Sequence, residues 1–393
     1  MDAELIPVEL AQADTPAAVS QVFLDSAGSS LPPRPVVDEV VAHLRREAEV
    51  GGYRAYEERL EELEEGYGLT AEFFGCDPDE IAFTDSASRS WLALLDAVPL
   101  GPGDRILTTE VEYGGNAIAL LNLAQQAGAT VELVPSGADG VLDLQALRDT
   151  LDERVKLVSL VHVPTNGGVV SPVAAAAAAA KEVGALVLLD ACQSIGQLPV
   201  TFAGTGADMI TGTGRKWLRG PRGTGLLAVR RAALAQLKPR LIDLQGATWT
   251  GPDKIDIRAD ARVFELWENP VAERLGLLVA LRYALDLGLD RIAATVTARA
   301  DQLRAGLAAL PRVTVRDLGS APSGIVSFTV DGMAPEAVKA ALAERDITVT
   351  VSRVTSTRYD MTRRGLEQVV RASPHYFVAD GQVDRAVDAV ARL

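Results

Sequence analysis

Cysteine and histidine are scarce in this chain. Its two cysteines, Cys76 and Cys192, cannot build a disulfide framework or a four-cysteine metal site. Its three histidines, His43, His162 and His375, exclude a histidine-rich centre, so no metal site is expected. Positive charge is also short. Against 53 Asp+Glu there are only 38 Lys+Arg, and a net charge of −15 has the wrong sign for a general nucleic-acid binder. A local cationic site for a small anion stays compatible with that balance. Long hydrophobic runs are missing too. The stretches near 172–180 and 275–281 are too short or too alanine-rich to span a bilayer. Met1-Asp2-Ala3-Glu4 has no charged-then-apolar leader pattern. With 48% hydrophobic and 23% charged residues, disorder is excluded. These features predict a cytoplasmic enzyme without nucleic-acid or membrane partners.

What is present is an alternation of strand and helix patterns. Short β-type runs fall at 81–84, 105–108, 131–134, 157–163, 186–190, 209–211 and 225–229. Helical stretches lie between them at 91–98, 116–127, 144–151 and 173–183, the last an alanine tract suited to close packing. That order predicts an α/β fold: a mostly parallel seven-stranded sheet with helices on both faces. Residues 35–75 read as helical with a charged face. Beyond about 285 the pattern changes to a smaller α+β unit, with strands at 313–315, 325–330 and 348–351 and helices at 289–309, 334–344 and 383–393. The expected division is 21–285 for the large domain and 286–393 for the small one, with segment 1–20 packing on the latter.

In parallel sheets, chemistry gathers at the C-terminal strand ends. Lys216 stands in a glycine-rich turn straight after the 209–211 strand, enclosed by Trp217 and apolar strands, where burial would lower its pKa. A solvent-exposed turn lysine fits the same pattern. Asp190 ends the apolar strand Leu186-Val187-Leu188-Leu189 and needs a partner there, either the cap of a following helix or a cationic ring nitrogen. Asp85-Ser86-Ala87-Ser88 precedes a helix and can be a plain N-cap or a phosphate cradle. Aspartate on one strand, lysine after the next and a phosphate-binding helix start are together what pyridoxal phosphate needs.

These residues resemble the class V aminotransferase group of fold-type I pyridoxal-phosphate enzymes, which includes cysteine desulfurases and isopenicillin N epimerase. The likeness runs from Phe23-Leu24-Asp25-Ser26-Ala27-Gly28 to Arg371-Ala372-Ser373-Pro374-His375-Tyr376. It is carried most specifically by Lys-x-x-x-Gly-Pro-x-Gly-x-Gly at 216–225 and by Asp-x-x-Gln at Asp190 and Gln193. The resemblance implies that Lys216 forms the Schiff base, Asp190 pairs with the pyridine nitrogen, and Gln193 and Asn166 approach the ring hydroxyl edge. It implies that Ala87, Ser88, Thr213 and Arg215 hold the phosphate, with Thr248 of Gly246-Ala247-Thr248-Trp249 completing the phosphate site of a second subunit in an obligate homodimer. Tyr113 stands where the family often has a ring-stacking histidine. Arg371 falls on the arginine that holds the substrate carboxylate, and Ala27 and Gly28 are implied to bind substrate with it.

Desulfurases take up sulfur on a small-domain cysteine, yet segment 351–360 contains none. Through residues 47–53, 164–168, 264–268, 356–358 and 371–376, the chain more closely resembles ergothioneine-pathway C–S lyases that cleave hercynylcysteine sulfoxide, with cysteine-conjugate enzymes of lincosamide antibiotic biosynthesis also similar. The reaction so implied is β-elimination from an S-substituted cysteine, giving a thiol or sulfenic acid, pyruvate and ammonia. Decarboxylation-coupled oxidative deamination and amino-acid epimerisation are the alternatives. Tyr53, Trp249, Trp267, Arg353 and Arg358 are the candidates for the leaving-group pocket.

Overall fold

The structure is a computed structural model, and it describes residues 4–319 and 323–393. The first strand, β1 (Val22–Phe23), lies outside the central sheet. That sheet is built from β2 (Ile81–Thr84), β3 (Arg105–Thr109), β4 (Thr130–Val134), β5 (Val155–Val161), β6 (Leu186–Asp190), β7 (Met209–Thr213) and β8 (Gly225–Val229). Their spatial order is β2-β8-β7-β6-β5-β3-β4. All neighbours run parallel except β8, which is antiparallel to both β2 and β7. The expected mostly parallel seven-stranded α/β sheet is therefore the observed one.

Except at edge strand β4, the sheet is buried on both faces, because most of its strands are nearly unbroken apolar runs. Alternate residues go to opposite cores, as the two-residue period of a strand requires. Val187, Leu189, Ile210 and Leu226 join one cluster with the alanines of helix Val173–Glu182. Leu186, Leu188, Met209 and Leu227 join the other with Trp91, Leu94 and Leu120 of helices Ala87–Ala97 and Gly114–Ala127. The alanine tract lets its helix approach β5 and β6 closely.

The helical region 35–75 is three helices, Arg34–Val50, Gly52–Glu57 and Leu60–Phe74, rather than one. The first break is Gly51 at φ +88, a conformation that side-chain-bearing residues rarely adopt. A hairpin absent from the sequence reading, β9 (Ala247–Gly251) with β10 (Lys254–Ile257), projects with most of its residues exposed.

The C-terminal unit holds a four-stranded antiparallel sheet of β11 (Val313–Val315), β12 (Val326–Val330), β14 (Thr350–Arg353) and β15 (Gln368–Ala372) in the order β11-β12-β15-β14. The single strand expected at 348–351 is split. β13 (Ile347–Thr348) pairs with β1, whereas β14 pairs with β15, so the chain changes partner at Val349. The β1–β13 pairing ties residues 22–23 to the C-terminal unit. Of the N-terminal segment, Ile6 is buried with its N–H on Thr295 Oγ1 at 2.9 Å, and Gln12 bonds Phe377 O and Gln382. Among the described residues, no helix is long and apolar enough to cross a membrane.

His162, directly after β5, shows what the dense sheet edge does to an ionisable group. Burial lowers its pKa to about 4, and its Nδ1 has no partner. The unfolded chain therefore takes up this proton first as pH falls from 6.5 toward 4, and stability drops across that window. His162→Gln is expected to flatten the pH dependence of urea unfolding between pH 6.5 and 5 by up to about 1.4 kcal/mol per pH unit. An unchanged slope would show that His162 is not held neutral.

Candidate active site

Five strand ends converge on one cleft. β6 contributes Asp190, which is 8% exposed and followed by Cys192 and Gln193. β7 contributes Thr211 and Thr213, and the turn after it carries Arg215 and Lys216. β2 leads through Ser86 into helix Ala87–Ala97, whose first residues Ala87 and Ser88 line the wall. β3 leads to Tyr113 and Asn116, and β5 to Val161, Val163 and Thr165. Each strand brings its side chain to the same edge because the strands share one direction. The antiparallel β8 returns from the lysine turn.

Lys216 is partly buried, and the removal of water lowers its pKa, with Arg215 acting in the same direction and Cys192 and Asp190 opposing it. Asp190 accepts hydrogen bonds from Asn116 Nδ2 and from Cys192 N, both at 2.9 Å. The Cys192 thiol is pushed well above its usual pKa by burial and by Asp190, so it is a poor nucleophile. Cys76, outside the cleft, is pushed up to about 12, again mainly by burial. Gln193 uses Nε2 on Ala27 O at 3.0 Å, and its Oε1 accepts from Trp217 Nε1 at 3.0 Å. Arg215 donates to Gly28 O. Tyr113 is 43% exposed at the rim.

The residues present fit pyridoxal phosphate. Ser86 caps the helix by accepting from Arg89 N at 3.2 Å, which leaves the N–H groups of the first turn aimed at an anion. Gly225 lies so close to this loop that a Cβ there would overlap the backbone of Ser86 and Ala87. Ser88, Thr213 and Arg215 add hydroxyl and cationic donors around the same end. An amine, a carboxyl and an anion cradle thus face one cleft.

The expected residues divide into three groups. Ala87, Ser88, Tyr113, Asp190, Gln193, Thr213, Arg215 and Lys216 line the cleft. Ala27, Gly28, Asn166 and Arg371 stand behind it. Asn166 does not line the cleft; its amide donates to Thr357 Oγ1 at 2.7 Å and its oxygen accepts from Ser352, both in the C-terminal unit. Arg371 reaches the wall only through Thr165, bonding its Oγ1 at 2.8 Å and pairing with Asp25 at 3.0 Å. Its Nε is buried without a partner. Burial lowers the Arg371 pKa and raises that of Asp25, in each case against their mutual attraction.

The third group does not line the cleft. Arg353 is exposed and ion-paired with Glu336, because β14 turns it outward, and Arg358 is exposed at the start of helix Arg358–Arg363. Thr248 and Trp249 are exposed on the hairpin. Tyr53 and Trp267 line a separate surface concavity with Glu47 and Tyr56. These positions do not form a leaving-group pocket within one chain. The sequence reading missed Asn116, Thr165 and Trp91 in the wall, and Glu112 behind it. Asn116 carried a usable signal, an amide at the start of a helix that follows a strand end.

Comparison with known proteins places this architecture. The family model "Aminotransferase class-V" matches residues 22–386. A probable cysteine desulfurase 2 of Mycobacterium leprae is 31% identical, with 94% of this chain and 91% of that protein aligned. A probable hercynylcysteine sulfoxide lyase of Mycobacterium tuberculosis is also 31% identical, over 95% of this chain and 90% of that one. The apo structure of a cysteine desulfurase from Thermococcus onnurineus NA1 superposes with a TM-score of 0.91 at 27% identity, covering 100% of this chain and 99% of the other. A match over nearly the whole chain, with a lysine, an aspartate and an anion cradle at one sheet edge, shows that this chain belongs to the class V aminotransferase family of pyridoxal-phosphate-dependent enzymes.

Proposed function

We propose that this protein is a pyridoxal-phosphate-dependent carbon–sulfur lyase that cleaves an S-substituted cysteine by β-elimination. The observation that carries this reading is the absence of a usable thiol at the cleft. The turn Val354–Ser356 packs against Gly114, beside Tyr113 at the rim, so closely that a Cβ on Gly114 would meet Thr355 O. Segment 351–360 therefore reaches the edge where a desulfurase would present its cysteine, and it has none. Cys192 is in the wall, but its thiol is held protonated. Sulfur then leaves with its substituent. The relatives named cysteine desulfurase and hercynylcysteine sulfoxide lyase support cysteine-derived substrates, and the latter supports a sulfoxide as leaving group.

Pyridoxal phosphate, when bound, supplies a ring that accepts the electron pair left by the departing α-proton. The chain's residues do the rest. Lys216 has an amine whose pKa burial lowers, which favours the free base that takes the α-proton. Asp190 offers a carboxylate for the ring nitrogen. The helix start at Ala87–Ser88, with Thr213 and Arg215, holds the phosphate. Arg371, which stands behind the wall on Thr165 and Asp25, is the cation this reading assigns to the substrate carboxylate. The α C–H and β C–S bonds break and a C=C bond forms. The sulfur departs with its electron pair, and the enamine hydrolyses to pyruvate and ammonia.

The reading includes a homodimer. Trp249, Ile255 and Ile257 on the hairpin and Tyr53 and Trp267 on the second concavity are 52–78% exposed, unusual for such large apolar groups unless another chain covers them. A second copy so placed would bring Thr248 to its neighbour's phosphate.

With S-substituted cysteines and pyruvate as readout, Lys216→Ala is expected to lose at least ~10²-fold in rate. Cys192→Ala and Cys76→Ala should keep most of it. A persulfide trapped on Cys192 during turnover, with inactivity of Cys192→Ala, would make the protein a desulfurase instead. Aldehyde with hydrogen peroxide, or α-deuterium exchange without pyruvate, would indicate the oxidative or epimerising alternative. Sedimentation at assay concentration is expected to show a dimer, and a fully active monomer would remove the shared-site reading.

A further inference from the structure

Behind Asp190 lies a second acid that the proposed reaction does not use. Glu112 stands between β3 and helix Gly114–Ala127 and is 1% exposed. Its Oε2 lies 2.7 Å from both Thr108 Oγ1 and Ser159 Oγ. Its Oε1 accepts from Tyr113 N at 2.9 Å and from Asn116 Nδ2 at 3.0 Å. The same Asn116 nitrogen is 2.9 Å from Asp190 Oδ2. An amide nitrogen has two hydrogens, so each acid receives one. The flipped amide would turn its oxygen onto two acid oxygens, which fixes the orientation.

Two acids bonded to one nitrogen are close neighbours, and like charges so placed cannot both form cheaply. Their surroundings decide which one is neutral. The Thr108 and Ser159 hydroxyls accept as readily as they donate, so a proton on Glu112 Oε2 has somewhere to point. Asp190 is met by N–H donors, Asn116 Nδ2 and Cys192 N, which suit a carboxylate and cannot receive a proton. Burial raises the Glu112 pKa against the opposing hydrogen bonds from Ser159, Thr108 and Asn116, with a smaller push in the same direction from Asp190, and so favours its neutral form. The other ionisable side chains of the cleft are Tyr113, Cys192, Arg215 and Lys216, and none of their side chains is hydrogen-bonded to Glu112.

We propose that Asn116, clamped by a neutral Glu112, is a positioning residue that aims the Asp190 carboxyl group into the cleft. This rests on the reading that Asp190 serves the cofactor's ring nitrogen.

The test uses holoenzyme variants with three readouts: the pH midpoint of the bound cofactor's visible band, kcat against KM for an S-substituted cysteine, and thermal unfolding. Asn116→Leu is expected to lower kcat about 10- to 100-fold with little change in KM, as for loss of a hydrogen bond to a charged group. It should move the pH midpoint by about one unit. Asn116→Ser, smaller and polar, gives the same reading if the leucine variant does not fold. Glu112→Leu, which frees the Asn116 amide, should lower kcat comparably, and Glu112→Gln, which keeps the shape without charge, should restore most of it. A folded Asn116 variant with the parent's midpoint and kcat overturns the proposal. So does a Glu112→Gln enzyme as impaired as Glu112→Leu, since Glu112 would then be ionised. Asp190→Asn separates the two levels. If it leaves band and turnover unchanged, the role given to Asp190 fails; if it is impaired while Asn116→Leu is silent, only the role of Asn116 does.

Discussion

A carboxyl group at the end of an apolar strand is the constraint around which this molecule is arranged. Asp190 is buried where its strand, Leu186–Asp190, meets the cleft, and a buried acid without hydrogen bonds is costly. Two donors from different places meet it: the backbone N–H of Cys192 in its own loop and the amide of Asn116 from the helix after β3. Satisfying Asp190 therefore fixes the loop after β6 against the helix after β3, with β5 between their strands. The lysine turn after β7 and the phosphate-type cradle after β2 then close the remaining sides.

Close backbone approach makes that closure possible. Gly225 lets the start of β8 touch the Ser86–Ala87 loop, and Gly114 lets the turn at Thr355 touch the helix beside Tyr113. Both are places where a side chain would separate two elements of the site. The second contact gives the C-terminal unit a part in the cleft although it supplies none of the lining. Arg371 and Asn166 belong to the same seam. Arg371 comes from β15 to bond Thr165, while Asn166, next in the chain, is gripped by Ser352 and Thr357. Movement of one unit against the other would be felt first at residues 165–166, directly behind the cavity wall.

This arrangement also separates the two thiols from sulfur chemistry by different means. Cys76 is outside the cleft, and Cys192 is inside it but partly buried beside a carboxyl group. Proximity to the site thus works against reactivity at Cys192. The same loss of water has the opposite use at Lys216, where it favours the free amine. One environment suppresses a nucleophile and prepares a base, because burial disfavours whichever form carries charge.

The amino-acid sequence alone determined the parallel sheet and most of the cleft. Apolar runs ending in Asp190, a glycine-enclosed Lys216 and the Ser86–Ser88 helix start are local patterns, and strand direction carries them all to one edge. Family resemblance supplied the cofactor. Tertiary structure decided what depends on residues far apart in the chain. The strand read at 348–351 divides because β1, from the other end of the chain, pairs with its first half. Arg353 and Arg358 turn outward, and Asn166 is drawn to the C-terminal unit rather than into the cleft. The Glu112–Asn116–Asp190 bridge was equally hidden, since it joins positions 74 residues apart through one amide. Periodicity reports which face of an element is apolar, but it carries no information about which distant side chain meets a given donor. Only packing settles that.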